Sequence, residues 1–206
     1  SSATDFREVS NTVSSSSRPV YSRVTESPVA IVIQGQEVPH GKPTSLIDYR
    51  TEIFDKLGCT NDVSDMPVEK IFLARSNKTR PYNQEELLPI AMQYGFKVVY
   101  PEMLTFKEQV QLFSKARFVV GPSGAAFANS LFCSEGTRLL SWVLPQYSGF
   151  CSFMNIANTI GGELRYIFVE PLNEVQNTAD AFRARYCVST TEFEQALHAM
   201  LFSADW

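Results

Sequence analysis

Three cations, Arg75, Lys78 and Arg80, share one short segment, Ala74-Arg75-Ser76-Asn77-Lys78-Thr79-Arg80-Pro81-Tyr82-Asn83. A guanidinium is a planar fork that donates two parallel hydrogen bonds to a phosphate. The spacing fits diphosphate capture, and it fits a solvated basic loop equally well. A second segment, Gly121-Pro122-Ser123-Gly124-Ala125-Ala126-Phe127-Ala128-Asn129, reads as a glycine turn opening a helix of small residues. Free backbone N–H groups at such a helix start attract anions, although the same composition also serves close packing against a sheet. The pattern is neither G-x-G-x-x-G nor a Walker A loop, so the dinucleotide and ATP fingerprints are absent. The chemistry on offer is electrostatic stabilisation of negative charge, with Gly121, Ser123, Gly124 and Ala125 facing Arg75 and Arg80.

Other polar residues near these segments are candidate contacts: Asn83, Glu102, Gln109, Asn129 and Ser141. Glu102 follows Pro101 at a predicted strand end and reads equally as site or surface. Glu108 reads as a helix cap, and His198 as structural on the last helix. His40 sits in a loop. Trp142 and Phe150 read as core or domain-interface residues. Metal ligands are not expected. Cys59, Cys133, Cys151 and Cys187 form no C-x-x-C pair, no Asp-x-Asp triplet occurs, and the nearest carboxylates, Asp62 and Asp65, have another spacing. Cys133 and Cys151 read as buried thiols, and Asn77-Lys78-Thr79 matches a glycosylation triplet by composition alone.

These segments need elements to position them. Apolar runs predict strands over Ile71 to Ala74, Phe96 to Tyr100, Arg117 to Val120, Arg138 to Val143 and Leu164 to Val169, after an earlier one at Val29 to Ile33. Helices are expected from Ser45 to Leu57, from Asn83 to near Gly95, from Thr105 through Ala116, over Ala125 to Leu131, over Ser152 to Ile160 and over Thr191 to Leu201. Asn83 with Glu86, and Thr105 with Glu108, have capping-box spacing. Strands alternating with helices specify an α/β doubly wound parallel sheet covered on both faces. Its ligands bind outside the carboxyl ends of the strands, which places any bound nucleotide between the loop at Arg75 to Asn83 and the turn at Gly121 to Ala125.

The chain has 206 residues, 44% hydrophobic and 19% charged, with a formal net charge of -4. That length supports one substantial domain. The acidic balance argues against a nucleic-acid partner, and no apolar run reaches the length of a membrane span. Residues 1–27, rich in Ser and Thr, read as a tail or linker, and residues 28–206 as the domain. No signal peptide is visible.

The chain resembles glycosyltransferase family 61, which includes bacterial capsular-polysaccharide enzymes and eukaryotic glycan-extending enzymes. The likeness runs from Ile71-Phe72-Leu73-Ala74-Arg75 through Arg80 and Asn83, then Gly95-Phe96-Lys97-Val98-Val99-Tyr100-Pro101-Glu102. It continues through Glu108-Gln109-Val110, Phe113 and Ala116 to Gly121-Pro122-Ser123-Gly124-Ala125-Ala126, Asn129, Phe132 and Gly136-Thr137. It implies a GT-B arrangement of two Rossmann-like domains, this chain being similar to the C-terminal, nucleotide-sugar half. Two positions depart from the family pattern: Ser123, where many relatives carry His, and Ser141, where they carry an acidic residue.

The resemblance implies transfer of a sugar from a nucleoside diphosphate-sugar, UDP-sugar first, to a glycan or other hydroxyl acceptor. Arg75 and Arg80 would carry the leaving-group charge in place of a divalent metal, and no cofactor is needed. No general base is recognisable, so it is expected from an N-terminal acceptor domain in a longer parent chain or partner subunit, and the chain alone is expected to transfer no sugar. The location implied is the cytoplasm in a bacterium, or the Golgi or ER lumen in a eukaryote. The competing reading is a non-catalytic nucleotide-binding or interaction module that retains the fold, and a weaker one is a nicotinamide-dependent oxidoreductase.

Overall fold

The computed structural model describes residues 45–59, 69–76, 81–145, 152–176, 180–181, 184–204 and 206. The tail and the strand expected at Val29 to Ile33 lie outside the described residues, as do His40, Asp62, Asp65, Asn77, Lys78, Thr79, Arg80, Phe150 and Cys151.

Five strands form one all-parallel sheet: β1 (Glu69–Leu73), β2 (Lys97–Val99), β3 (Ala116–Pro122), β4 (Arg138–Val143) and β5 (Glu163–Phe168). Their spatial order is β2-β1-β3-β4-β5. Among the described residues the α-helices of eight or more residues are α1 (Leu46–Leu57), α2 (Gln84–Gln93), α3 (Phe106–Lys115), α4 (Ser152–Thr159) and α5 (Thr190–Phe202). Short 3-10 segments cover Pro101–Met103 and Ala125–Phe132. All five strands expected in this region are present, and the sheet is doubly wound and Rossmann-like.

Alternation along each strand feeds two cores. Ile71 and Leu73 point to one face, where they pack with Phe54, Val110, Phe113, Phe127 and Phe153 from α1, α3, the second 3-10 segment and α4. Phe72, Val120, Leu140 and Trp142 point to the other, against Leu87 and Ala91 of α2 and Phe193, Leu197 and Met200 of α5. Burial on both faces explains why these strands read as continuous apolar runs. Trp142 lies in this second core, 1% exposed, as expected. His198, expected to be structural, faces solvent on α5 with its ring against Phe202.

Three local expectations need correction. The Thr105–Glu108 capping box forms with both limbs, but the Asn83–Glu86 box does not: the Asn83 side chain makes no cap bond. Its amide instead pairs with the Val188 backbone, accepting from the N–H at 2.8 Å and donating to the carbonyl at 3.0 Å. A two-point partner outcompetes a single cap bond. Gly121 and Pro122, expected in the turn, are strand residues paired with Ser141 and Trp142, and the turn shrinks to Ser123 and Gly124. Finally, Ala125–Phe132 winds as a 3-10 helix. Eight residues rise about 16 Å at the 3-10 pitch but only about 12 Å as α-helix, and this segment must return across the sheet to start β4.

Candidate functional site

In the order β2-β1-β3-β4-β5 the chain leaves β1 in one direction and β3 in the other. The loops after β1 and β3 therefore diverge, opening the crevice in which doubly wound sheets bind ligands. Arg75 follows β1, Glu102 follows β2, and Ser123 and Gly124 follow β3, so the parallel sheet gathers them at one edge.

The Arg75 guanidinium crosses the switch point and donates from Nη2 to the Ser123 carbonyl at 3.1 Å. Gly124 leaves room for this: an added Cβ would lie 2.9 Å from Arg75 Nη2. Gly121 is small for another reason, since a Cβ there would lie 2.7 Å from Leu73 Cβ and 3.1 Å from the Leu73 carbonyl oxygen. Ala125 is exposed and opens the 3-10 segment. The N–H groups of Ala125 and Ala126 precede the first bond of that segment, Phe127 N–H to Gly124 carbonyl at 2.9 Å, and so lie at its positive end.

Glu102 stands beside Arg75. Its carboxylate accepts the Ser76 N–H at 2.7 Å. Partial burial opposes its ionisation, but the hydrogen bonding from Ser76 and the Arg75 charge outweigh that and hold its pKa below the ordinary value. Gln109 and Asn129 meet each other, Asn129 Nδ2 donating to Gln109 Oε1 at 2.6 Å. Gln109 Nε2 also donates to the carbonyls of Pro101 and Leu104, at 3.0 and 3.1 Å. The pair thus ties the turn carrying Glu102 to the segment after β3. Asn83 is directed away, to Val188.

Ser123 and Ser141 touch. Their hydroxyl oxygens are 2.9 Å apart, and Ser123 Oγ also donates to the Trp142 carbonyl at 2.9 Å. Ser141 is fully buried and donates to the Gly121 carbonyl at 2.8 Å. The register pairs Gly121 with Ser141 and ends at Pro122 with Trp142, which leaves Ser123 one residue beyond β3 beside them.

Sequence reasoning passed over Tyr82 and Gln84. Gln84 Oε1 accepts the Arg75 N–H at 2.8 Å, and Gln84 Nε2 donates to the Arg75 carbonyl at 3.1 Å. Tyr82 donates its hydroxyl to the same Oε1 at 2.9 Å. Its ring stacks on Tyr186, centroids 5.6 Å apart, and lies 5.3 Å from Trp142. Burial, reinforced by Tyr186, pushes the Tyr82 phenol far up, so it remains a neutral donor. The readable signal was an aromatic and two amides directly after a cationic loop.

Among the described residues no group of three or more His, Cys, Asp or Glu could hold a metal ion, and no helix is long and apolar enough to cross a membrane. The arrangement offers a fixed positive charge over a helix start, which is chemistry for an anion. No curated protein matches the chain. The family model described as Glycosyltransferase 61 matches residues 16–140, a span that contains β1, β2, β3 and the crevice between the loops after β1 and β3. With more than half of its length matched, the chain belongs to the glycosyltransferase 61 family.

Proposed function

We propose that this domain binds the donor of a glycosyl transfer, a nucleoside diphosphate-sugar with UDP-sugar preferred, at the crevice between the loops after β1 and β3. Family membership implies a glycosyltransferase with a sugar donor and an acceptor. The observation that carries the donor-side reading is the Arg75 guanidinium lying across the switch point against the Ser123 carbonyl. It puts a guanidinium beside the amides that open the 3-10 segment.

In the reaction an acceptor hydroxyl oxygen forms a bond to the anomeric carbon as the bond from that carbon to the donor phosphate breaks. The electron pair leaves with the diphosphate, and the acceptor proton passes to a general base. Arg75, with Arg80 from the same loop, stabilises the charge growing on the leaving group, the place otherwise taken by a divalent ion. The base is assigned to an acceptor-binding domain in a longer chain or a partner subunit. Closure of the two halves then supplies the near-attack geometry. The acceptor is a glycan or another hydroxyl compound, as in capsular-polysaccharide synthesis in a bacterial cytoplasm or glycan extension in a eukaryotic Golgi or ER lumen.

Calorimetric titration with UDP, GDP, dTDP and ADP tests the reading. Replacing both Arg75 and Arg80 with Ala should weaken diphosphate binding by about 1.5–3 kcal/mol for each charge-assisted hydrogen bond removed. A chelator should leave the affinity unchanged. Unaltered affinity in the double variant, or binding lost to the chelator and restored by a divalent ion, would refute it.

A further inference from the structure

Arg75 stands just beyond the point where the sheet can hold it. β1 ends at Leu73, and the Ala74 N–H still donates to the Val99 carbonyl at 2.8 Å. At Arg75 a side chain takes over the role of a neighbouring strand. Gln84 Oε1 accepts the Arg75 N–H and Gln84 Nε2 donates to the Arg75 carbonyl, at 2.8 and 3.1 Å. A primary amide presents an acceptor and a donor side by side, so it can satisfy both backbone groups of one residue. Two bonds to one residue fix the peptide planes on either side of it, and with them the direction in which its side chain leaves the backbone.

The clamp is itself anchored. Gln84 is the first residue of α2, and its own N–H donates to the Tyr82 carbonyl at 2.8 Å. The Tyr82 hydroxyl holds Gln84 Oε1 from a second direction, and the Tyr82 ring is fixed between Tyr186 and Trp142. Asn83 repeats the device one residue earlier, with its amide on both backbone groups of Val188. Adjacent amides therefore tie the loop after β1 to the segment leading into α5.

We infer that Gln84 is a positioning residue that aims the Arg75 guanidinium at a bound diphosphate. The inference rests on the donor-binding reading above. It separates from a merely structural role because a clamp that acts through Arg75 has nothing to act on once Arg75 is gone.

The test is a double-mutant cycle in the full chain, read as affinity for the tightest-binding of UDP, GDP, dTDP and ADP, with urea unfolding in parallel. Gln84→Ala should weaken binding about 10-fold, the scale of effect expected when a binding group loses its support, yet cause no further loss in an Arg75→Ala background. Gln84→Glu keeps the acceptor for the Arg75 N–H and loses the donor to its carbonyl, so its affinity should fall between wild type and Gln84→Ala. Should Gln84→Ala not fold, Gln84→Glu carries the same cycle. Equal losses in both backgrounds, or an unaffected Gln84→Ala beside a weakened Arg75→Ala, overturn the inference alone. Unchanged affinity in Arg75→Ala, or no binding of any of the four diphosphates, overturns the donor-binding reading and the inference with it.

Discussion

Gly121 and Gly124 stand three positions apart in one glycine-containing segment, and the structure gives them opposite roles. Gly124 has extended backbone, φ 175° and ψ -178°, which any residue adopts. A Cβ there would meet Arg75 Nη2 at 2.9 Å, with its next neighbours only at 4.0 Å. The close atom is the far end of a flexible side chain, so Gly124→Ala displaces the guanidinium and leaves the fold alone. Its stability should change by less than about 1 kcal/mol, because the stiffer unfolded chain offsets part of the missing Arg75–Ser123 bond. Diphosphate affinity should fall by about 1–2 kcal/mol, on the order of ten-fold. Gly121→Ala is the reverse case. Its Cβ would press on Leu73 Cβ and on the Leu73 carbonyl oxygen, and backbone in the middle of a parallel sheet cannot step aside cheaply. Overpacking of this kind costs about 1–3 kcal/mol. Urea unfolding of both variants, with diphosphate titration of Gly124→Ala, measures the contrast. The reasoning fails if Gly124→Ala is the less stable of the two, or if it binds diphosphate as tightly as wild type.

Glu102 gives a pH prediction. Its folded pKa is lowered, so the carboxylate contributes stability above the ordinary carboxylate range and loses it as pH falls through the lowered value. Glu102→Gln should be less stable than wild type at neutral pH and equal to it well below that range, checked by denaturant unfolding at the two pH values. Burial raises the Cys133 thiol far above its usual pKa, against a smaller opposing pull from Arg50, whereas Cys187 is exposed. A thiol reagent followed by peptide mapping should therefore modify Cys187 in the native protein and Cys133 only after unfolding. Ser123→Ala should cost about 1 kcal/mol of stability by removing the bond to the Trp142 carbonyl. Titration of that variant should show a loss of diphosphate affinity smaller than the roughly 0.5–1.5 kcal/mol of an average hydrogen bond to ligand.

The sheet was legible because burial on both faces writes each strand as an apolar run, and strand order then follows from few alternatives. Local signals held where nothing distant competed. Thr105 and Glu108 form the box their spacing promises, while Asn83 and Glu86 carry the same signal and lose it to Val188, 105 residues away. Gly121 had the composition of a turn, yet its smallness answers to Leu73 on a neighbouring strand. The edge that gathers Arg75, Glu102 and Ser123 follows from topology and could be read ahead. The pairing of Gln84 with Arg75, or of Ser123 with Ser141, could not, because amides and hydroxyls carry no periodic pattern and their partners depend on register.

At this edge most neutral polar side chains are already spent on the protein itself. Asn83 and Gln84 hold backbone, Gln109 and Asn129 hold each other, and Ser123 and Ser141 hold the ends of β3 and β4. The serine pair shows how fully. It has two hydroxyl protons to serve the Trp142 carbonyl, the Gly121 carbonyl and the approach of the two oxygens to each other. A phosphate oxygen at Ser123 could take a proton only by stripping one of those partners, which costs about what it gains. In the proposed reading the groups that face an anion are the Arg75 guanidinium, which also donates to the Ser123 carbonyl, and the amides that open the 3-10 segment. Both are held in position by the contacts around them. In the donor-binding reading proposed above, such an edge recognises a diphosphate by charge and geometry, with the neutral amides and hydroxyls as its frame.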